Sequence, residues 1–83
     1  MARYSIFTEY NKDKIDFNEL RNKLGALELK IIGEECGNNS VVVKYDGNIK
    51  EFGEKIDGII KGIKRNGVAI YVDANNEQRL KIT

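Results

Sequence analysis

The chain has 83 residues, which is enough for one small domain with a single hydrophobic core. Fourteen basic residues against thirteen acidic ones give a net charge of +1, which excludes recognition of DNA, RNA or an anionic membrane through an overall positive field. The sequence contains no histidine, so catalytic triads and metal sites built on imidazole are excluded as well.

Cysteine content and the distribution of apolar residues indicate the compartment. The single cysteine, Cys36, cannot form a disulfide within the chain, which favours a reducing compartment. No apolar run reaches the roughly 20 residues that span a bilayer. Arg3 and Glu9 carry charges where the hydrophobic segment of a signal peptide would lie. We therefore expect a cytoplasmic protein without a membrane partner.

The first predicted elements are a strand and a short helix. Residues 3–10 alternate between two sets of side chains with a period of two, which is typical of a strand. Asp16 and Glu19 have the spacing of a capping box, which predicts a helix that starts at Phe17. Gly25 is expected to end this helix because glycine readily adopts positive φ.

A hairpin and the longer helix follow. Residues 27–32 and 41–45 predict two strands separated by a segment rich in turn-forming residues. Asn48 and Glu51 have the spacing of a second capping box, and Gly67 is expected just beyond the end of the helix that it opens. Between them, the apolar residues recur at helical spacing: Ile49, Phe52, Ile56, Ile59, Ile60 and Ile63.

Two further strands complete the predicted fold. Residues 68–73 alternate, and a short turn separates them from a strand that carries Leu80 and Ile82. The resulting β-α-β-β-α-β-β order resembles the layout of the ferredoxin-like plait, in which two helices cover one face of a mostly antiparallel sheet. We expect a single α+β domain over residues 1–83, a strand order of 5-4-1-3-2 and an extra C-terminal edge strand.

The predicted topology divides the apolar residues between two faces of the sheet. We expect the two helices to bury Phe17, Leu20, Leu24, Phe52, Ile56, Ile60 and Ile63 against one face. If residues 27–31 and the alternate residues of the other strands also face the helices, then Phe7, Ile32, Val42 and Tyr71 must point outward. In the expected strand order, these four residues form one apolar patch.

Basic residues are expected around this patch: Arg3, Lys30, Lys44, Arg79 and Lys81. Glu9 and Glu28 are the nearby acids. A contiguous apolar patch inside a basic frame usually marks an interface. The candidate partner-binding residues are therefore Phe7, Ile32, Val42, Lys44, Tyr71 and Arg79.

Glycines in the second helix suggest a secondary candidate surface. Each glycine within a helix costs about 1 kcal/mol relative to alanine. Gly58 and Gly62 lie opposite the apolar stripe and, with Lys55, form a strip that a partner's backbone would be able to approach. Alternatively, the buried face of the helix simply tolerates these glycines. Gly53 lies at the border of the stripe and predicts close packing of the helix.

Three partners are compatible with the apolar patch. One is a second copy of the chain, which would bury additional surface for a small domain. Another is a different protein, bound by a small inhibitor, adaptor or regulatory subunit; the short, AT-biased chain is compatible with an origin in a mobile element such as a phage. The third is single-stranded RNA or DNA, stacked on Phe7 and Tyr71 with phosphates on Lys44, Arg79 and Lys81. Two aromatics and a nearly neutral charge favour protein over nucleic acid.

No catalytic residue, cofactor or metal site is expected. Glu34, Glu35 and Cys36 are the only adjacent potential metal ligands, but neighbouring strand residues point to opposite faces. No pair of carboxylates adjoins an apolar pocket pattern, and a small plait rarely encloses a deep cleft. The sequence therefore predicts a non-enzymatic binding module.

Overall fold

The computed structural model describes residues 2–8, 15–33, 40–63, 65, 67–74 and 78–82. This part of the chain forms five strands and two helices in the predicted order, which confirms the α+β class. The elements are β1 (Ala2–Thr8), α1 (Phe17–Ala26), β2 (Lys30–Gly33), β3 (Ser40–Tyr45), α2 (Ile49–Ile63), β4 (Ile70–Ala74) and β5 (Gln78–Ile82).

The five strands form one sheet in which every pair of neighbours is antiparallel. Their order, β2-β3-β1-β4-β5, is the predicted order read from the opposite edge. β1 is the central strand, and β5 is the extra C-terminal strand at one edge. Both helices described here fall short of the length and apolar character that a bilayer crossing requires.

Both predicted helix starts are confirmed. The Asp16 carboxylate accepts a hydrogen bond from the backbone N–H of Glu19 at 3.0 Å. Asn48 Oδ1 accepts one from the backbone N–H of Glu51 at 2.8 Å. Each side chain satisfies one of the backbone donors that a helix leaves unpaired in its first turn, so both helices begin where the sequence indicates.

The end of α1 differs from the prediction. The helix continues through Gly25 to Ala26, and the residue with positive φ is Glu28, at 62°. The backbone N–H groups of Glu28 and Leu29 return to the carbonyls of Gly25 and Leu24, which closes the helix without a glycine in the left-handed position. Leu27 is consequently 36% exposed instead of facing the helices, and β2 begins three residues later than predicted.

The turn after α2 agrees with the prediction for the residues that are described. Gly67 has a φ of 81°, a conformation that glycine adopts without steric cost. The backbone N–H of Val68 donates to the Arg65 carbonyl at 3.2 Å. Val68 is buried but precedes β4, so the strand begins two residues after the predicted start.

The core lies between the helices and one face of the sheet. All seven helix residues expected to be buried are buried. The sheet contributes the alternate residues Tyr4, Ile6, Val41, Val43, Ile70, Val72 and Ile82. Because strand residues alternate between faces, this inner face leaves the odd-numbered side chains of β1 and their neighbours on the opposite side.

An aromatic cluster joins the sheet to α2. The Tyr4 and Phe52 rings stack with centroids 4.6 Å apart, and Tyr45 packs against both at tilted angles. The Tyr4 hydroxyl donates a hydrogen bond to the Gly47 carbonyl, which ties the turn before α2 to the central strand. Burial raises the pKa of Tyr4, and the Glu51 carboxylate and the Tyr45 phenol raise it further.

We predict that Tyr4 makes stability fall at alkaline pH. The unfolded chain ionises this phenol near pH 10, whereas the folded protein holds it neutral, so its contribution is present below pH 10 and is lost as pH rises through the folded pKa. Tyr4→Phe should lower stability by about 0.5–1.5 kcal/mol at neutral pH because it removes the hydrogen bond to Gly47. Urea melts from pH 8 to 11 should show a shallower decline for Tyr4→Phe; equal slopes would contradict this assignment.

Gly53 permits the close approach of α2 to β5. Gly53 is buried, and a methyl group placed on it would overlap the Leu80 side chain of β5. A methyl group on Gly58, in contrast, would have no heavy atom within 4 Å. The structure thus supports the close-packing role predicted for Gly53. The exposed glycines Gly58 and Gly62 do not share this role.

Alanine substitutions should distinguish these glycines. Gly58→Ala should raise stability by about 1 kcal/mol because alanine is the better helix former. Gly53→Ala gains the same propensity but must displace Leu80, and overpacking of this kind costs about 1–3 kcal/mol, so we expect no net gain and a lower melting temperature than for Gly58→Ala. Thermal melts of the two variants measure this. Equal stabilisation by both would show that Leu80 moves aside freely.

Candidate partner-binding face of the sheet

The face of the sheet away from the helices, here called the outer face, carries three rows of side chains. Residues that are register partners in an antiparallel sheet project to the same side. The first row, here called the basic row, consists of Lys30, Lys44 and Arg3 on β2, β3 and β1. The second consists of Val42, Ser5, Asp73 and Arg79. The third consists of Ser40, Phe7, Tyr71 and Lys81.

Phe7 and Tyr71 are brought together as predicted. They are direct register partners on β1 and β4, and their ring centroids lie 5.8 Å apart with planes inclined by 28°. Both side chains are half-buried. Cross-strand aromatic pairs of this kind stabilise a sheet, so this pair has a structural role whether or not it binds a partner.

Arg79 lies over the aromatic pair and not at the rim of the patch, which corrects the sequence-based placement. Its guanidinium carbon is 5.1 Å from the Phe7 ring centroid and 5.5 Å from that of Tyr71. Asp73 holds it there, with Nε to Oδ1 at 2.9 Å and Nη2 to Oδ2 at 3.3 Å. Sequence reasoning missed Asp73, although the pairing of β4 with β5 places the two residues directly opposite each other.

The aliphatic half of the predicted patch is less exposed than expected. Val42 is on the outer face but is only 6% exposed. The register between β2 and β3 shifts between Ile31 and Gly33, so Gly33 and not Ile32 lies opposite Val42. Ile32 is half-buried. The four residues therefore do not form one broad exposed patch; Phe7 and Tyr71 pair, while Val42 serves mainly as covered sheet surface.

Positive charge is concentrated on the outer face. Five basic side chains project from this face among the residues that the structure describes: the three of the basic row, Arg79 and Lys81. Asp73 is the one described acid on the same face. No described acid forms a salt bridge with a member of the basic row. Glu9 lies outside the described residues, and Glu28 is exposed in the turn before β2. A nearly neutral chain thus presents a locally basic surface.

The secondary candidate surface on α2 has a different character. Lys55, Gly58 and Gly62 are exposed, and a methyl group on Gly62 would approach only the Lys23 ammonium, at 3.7 Å. Glu51 and Lys55, one turn apart on this side of the helix, carry opposite charges, whereas the Lys61–Asp57 pair, at 2.8 Å, lines the groove between α2 and β5. The strip is therefore flat and mixed in charge, and it has no concentration of one sign.

A groove beside α2 and the potential metal ligands are the remaining features to place. An open groove of about 380 Å³ lies between α2 and β5, and its lining includes the Asp57–Lys61 ion pair and Leu80. No group of three or more potential metal ligands occurs among the described residues. Glu34, Glu35 and Cys36 lie outside them.

No protein-family model, curated protein or solved structure matches this chain. The site must therefore be interpreted from its own geometry and charge.

We predict that Asp73 and Arg79 are energetically coupled. Because the Arg79 side chain is 52% exposed, their coupling should be only about 0.2–1 kcal/mol. Arg79→Ala should be more destabilising than Asp73→Ala, since it also removes the cation from the aromatic pair. A double-mutant cycle by urea denaturation, with the two single variants and the double variant, measures both effects. Strictly additive losses would contradict the pairing.

Proposed function

We propose that this protein is a non-enzymatic, cytoplasmic protein-binding module that engages its partner through the outer face of the sheet. The observation that carries this proposal is the concentration of five described basic side chains on a face that also holds the Phe7–Tyr71 pair. The opposite face is covered by the helices and is accounted for by the core. A small inhibitor, adaptor or regulatory subunit uses a surface of this kind, and the AT-biased composition fits an origin in a mobile element such as a phage.

Two features favour a protein over a nucleic acid. Bases bind single-strand-binding domains by stacking on open aromatic rings. Here the Arg79 guanidinium lies over both rings, and the Asp73 carboxylate that holds it would repel a phosphate. Arginine and aromatic side chains are also the residues enriched at the centres of protein interfaces.

The charge of the outer face also bears on self-association. A twofold dimer brings the same patch of both copies together. Each copy would bring five described basic side chains and one described acid to such an interface, and this excess of positive charge is unfavourable without intervening acids. A homodimer through this face is therefore less compatible with the structure than a different partner.

Single-stranded RNA or DNA is the second candidate, because the basic row and the aromatic pair share one face. Phosphates would contact Lys44 and Lys81, and bases would stack on Phe7 and Tyr71. This mode requires Arg79 to leave the rings. It would also make binding fall steeply with salt, because each neutralised phosphate releases counterions.

Affinity capture with variants should decide between these functions. We expect wild-type protein to retain a defined protein partner after nuclease treatment, and Lys44→Glu or the Phe7→Ala, Tyr71→Ala double variant to lose it. Lys44→Glu changes an exposed face without removing a core side chain, so it controls for unfolding in the aromatic variant.

The same capture with Gly58→Ala tests the secondary surface. Because that substitution should preserve or raise stability, loss of the partner in Gly58→Ala alone would move the site to α2. Loss of the captured material after nuclease treatment would favour binding of single-stranded RNA or DNA instead. Retention of only the protein itself, with a dimeric mass by light scattering, would show that self-association replaces a different partner.

A further inference from the structure

The basic row is the feature of the outer face that fold stability does not explain. Lys30, Lys44 and Arg3 are consecutive register partners on three neighbouring strands, so their side chains stand next to each other on one face. Like charges placed directly opposite in a sheet are destabilising. No described acid pairs with any of them. An arrangement that opposes folding and that pairs with none of the described acids is suited to an external anion.

The dimensions of the basic row limit what can bind along it. Neighbouring strands are about 4.7–4.9 Å apart, so the row spans about 10 Å from β2 to β1. Residues i and i+7 of an α-helix are separated by about 10.5 Å along its axis, with i+3 and i+4 between them. Carboxylates at these positions of a helix laid across the strands would reach all three cations.

The second row of the outer face lies beside such a helix. Successive residues on the same face of a strand are about 6.6–6.8 Å apart, which is less than the 10–12 Å width of a helix with its side chains. Half of that width is about 5–6 Å, so the flank of a helix centred above the basic row approaches Ser5 and Val42 in the next row but stops short of Phe7, which is about 13 Å from the basic row. The surface beside the cations is thus apolar or small, while Asp73 lies farther along, towards β5.

We propose, resting on the protein-binding function above, that the outer face binds an acidic helix of its partner protein, with carboxylates on Lys30, Lys44 and Arg3 and small side chains on the flank that faces Ser5. The helix lies across β2, β3 and β1. Arg79, held by Asp73 over the aromatic pair, borders the site instead of contributing a free charge.

Defined probes test this inference without a known partner. The first probe is an 18-residue peptide with glutamates at i, i+3, i+4 and i+7 spacing and alanines at the other positions. The second has the same composition in a scrambled order without a face. The third is single-stranded oligothymidine of equal net charge. Binding of each to the full chain is measured by fluorescence anisotropy at low and moderate salt.

We expect the patterned peptide to bind more tightly than the scrambled peptide and the oligonucleotide. Lys44→Glu should weaken its binding by at least about tenfold, because it replaces the central cation of the row by a like charge to the ligand. Lys55→Glu, which makes the same change of net charge on exposed α2, should have little effect. Circular dichroism should show added helix in the complex with the patterned peptide.

Other results would overturn the inference in distinguishable ways. Equal binding of both peptides would contradict recognition of a helix. Tighter binding of oligothymidine would favour a nucleic-acid ligand. A larger loss from Lys55→Glu than from Lys44→Glu would place the anion site on α2. If neither peptide binds but nuclease-resistant capture of a protein still depends on the outer face, only the inference of an acidic helix is wrong. If that capture also fails, the proposed protein-binding function is wrong as well.

Discussion

β1 determines the composition of both faces of the sheet, because it is hydrogen-bonded to β3 on one side and to β4 on the other. Its even-numbered residues, such as Tyr4 and Ile6, are buried under the helices. Its odd-numbered residues, Arg3 and Phe7, therefore belong to the outer face. A slip of one residue would exchange the two sets, so burial of the apolar set also fixes which charged and aromatic residues stand together outside.

The two faces are explained by different physical requirements. On the inner face, the stripe of α2 and the Tyr4–Phe52 stack fill the core, and the Tyr4 hydroxyl bonds the turn before α2. Gly53 allows α2 to approach Leu80. On the outer face, in contrast, three cations occupy neighbouring register positions. Burial and hydrogen bonding explain the first arrangement but not the second, which is why the outer face is the better candidate for function.

Most of the fold follows from local sequence patterns. The capping residues Asp16 and Asn48 mark both helix starts, and periodic apolar residues identify every strand. The end of α1 could not be predicted from Gly25. The sequence suggests that Gly25 adopts the positive φ that ends the helix, but Glu28, three residues later, adopts it, and its backbone N–H bonds the Gly25 carbonyl. A preference for positive φ shows where a chain is able to turn, whereas the closing hydrogen bonds depend on where β2 must begin.

The candidate site was only partly predictable for a related reason. Alternation correctly assigned Phe7 and Tyr71 to one face, and the strand order placed them side by side. The direction of a long side chain does not follow from alternation, so the position of Arg79 over the rings was missed. The shift of register between β2 and β3 places Gly33 and not Ile32 opposite Val42, and the alternation of apolar residues in the sequence does not reveal it.

The central claim is that the basic row is arranged for a partner at the expense of the fold, and the stability of Lys44→Glu tests it most directly. A glutamate at the centre of the row would replace two repulsions by two cross-strand attractions, each worth about 0.2–1 kcal/mol. For a domain of this size, about 1 kcal/mol shifts the melting temperature by about 4–8 °C. We therefore predict that Lys44→Glu melts higher than wild type at low salt, that the difference shrinks at 1 M salt, and that Lys55→Glu shows neither effect. A melting temperature for Lys44→Glu equal to or below that of wild type at low salt would contradict the claim.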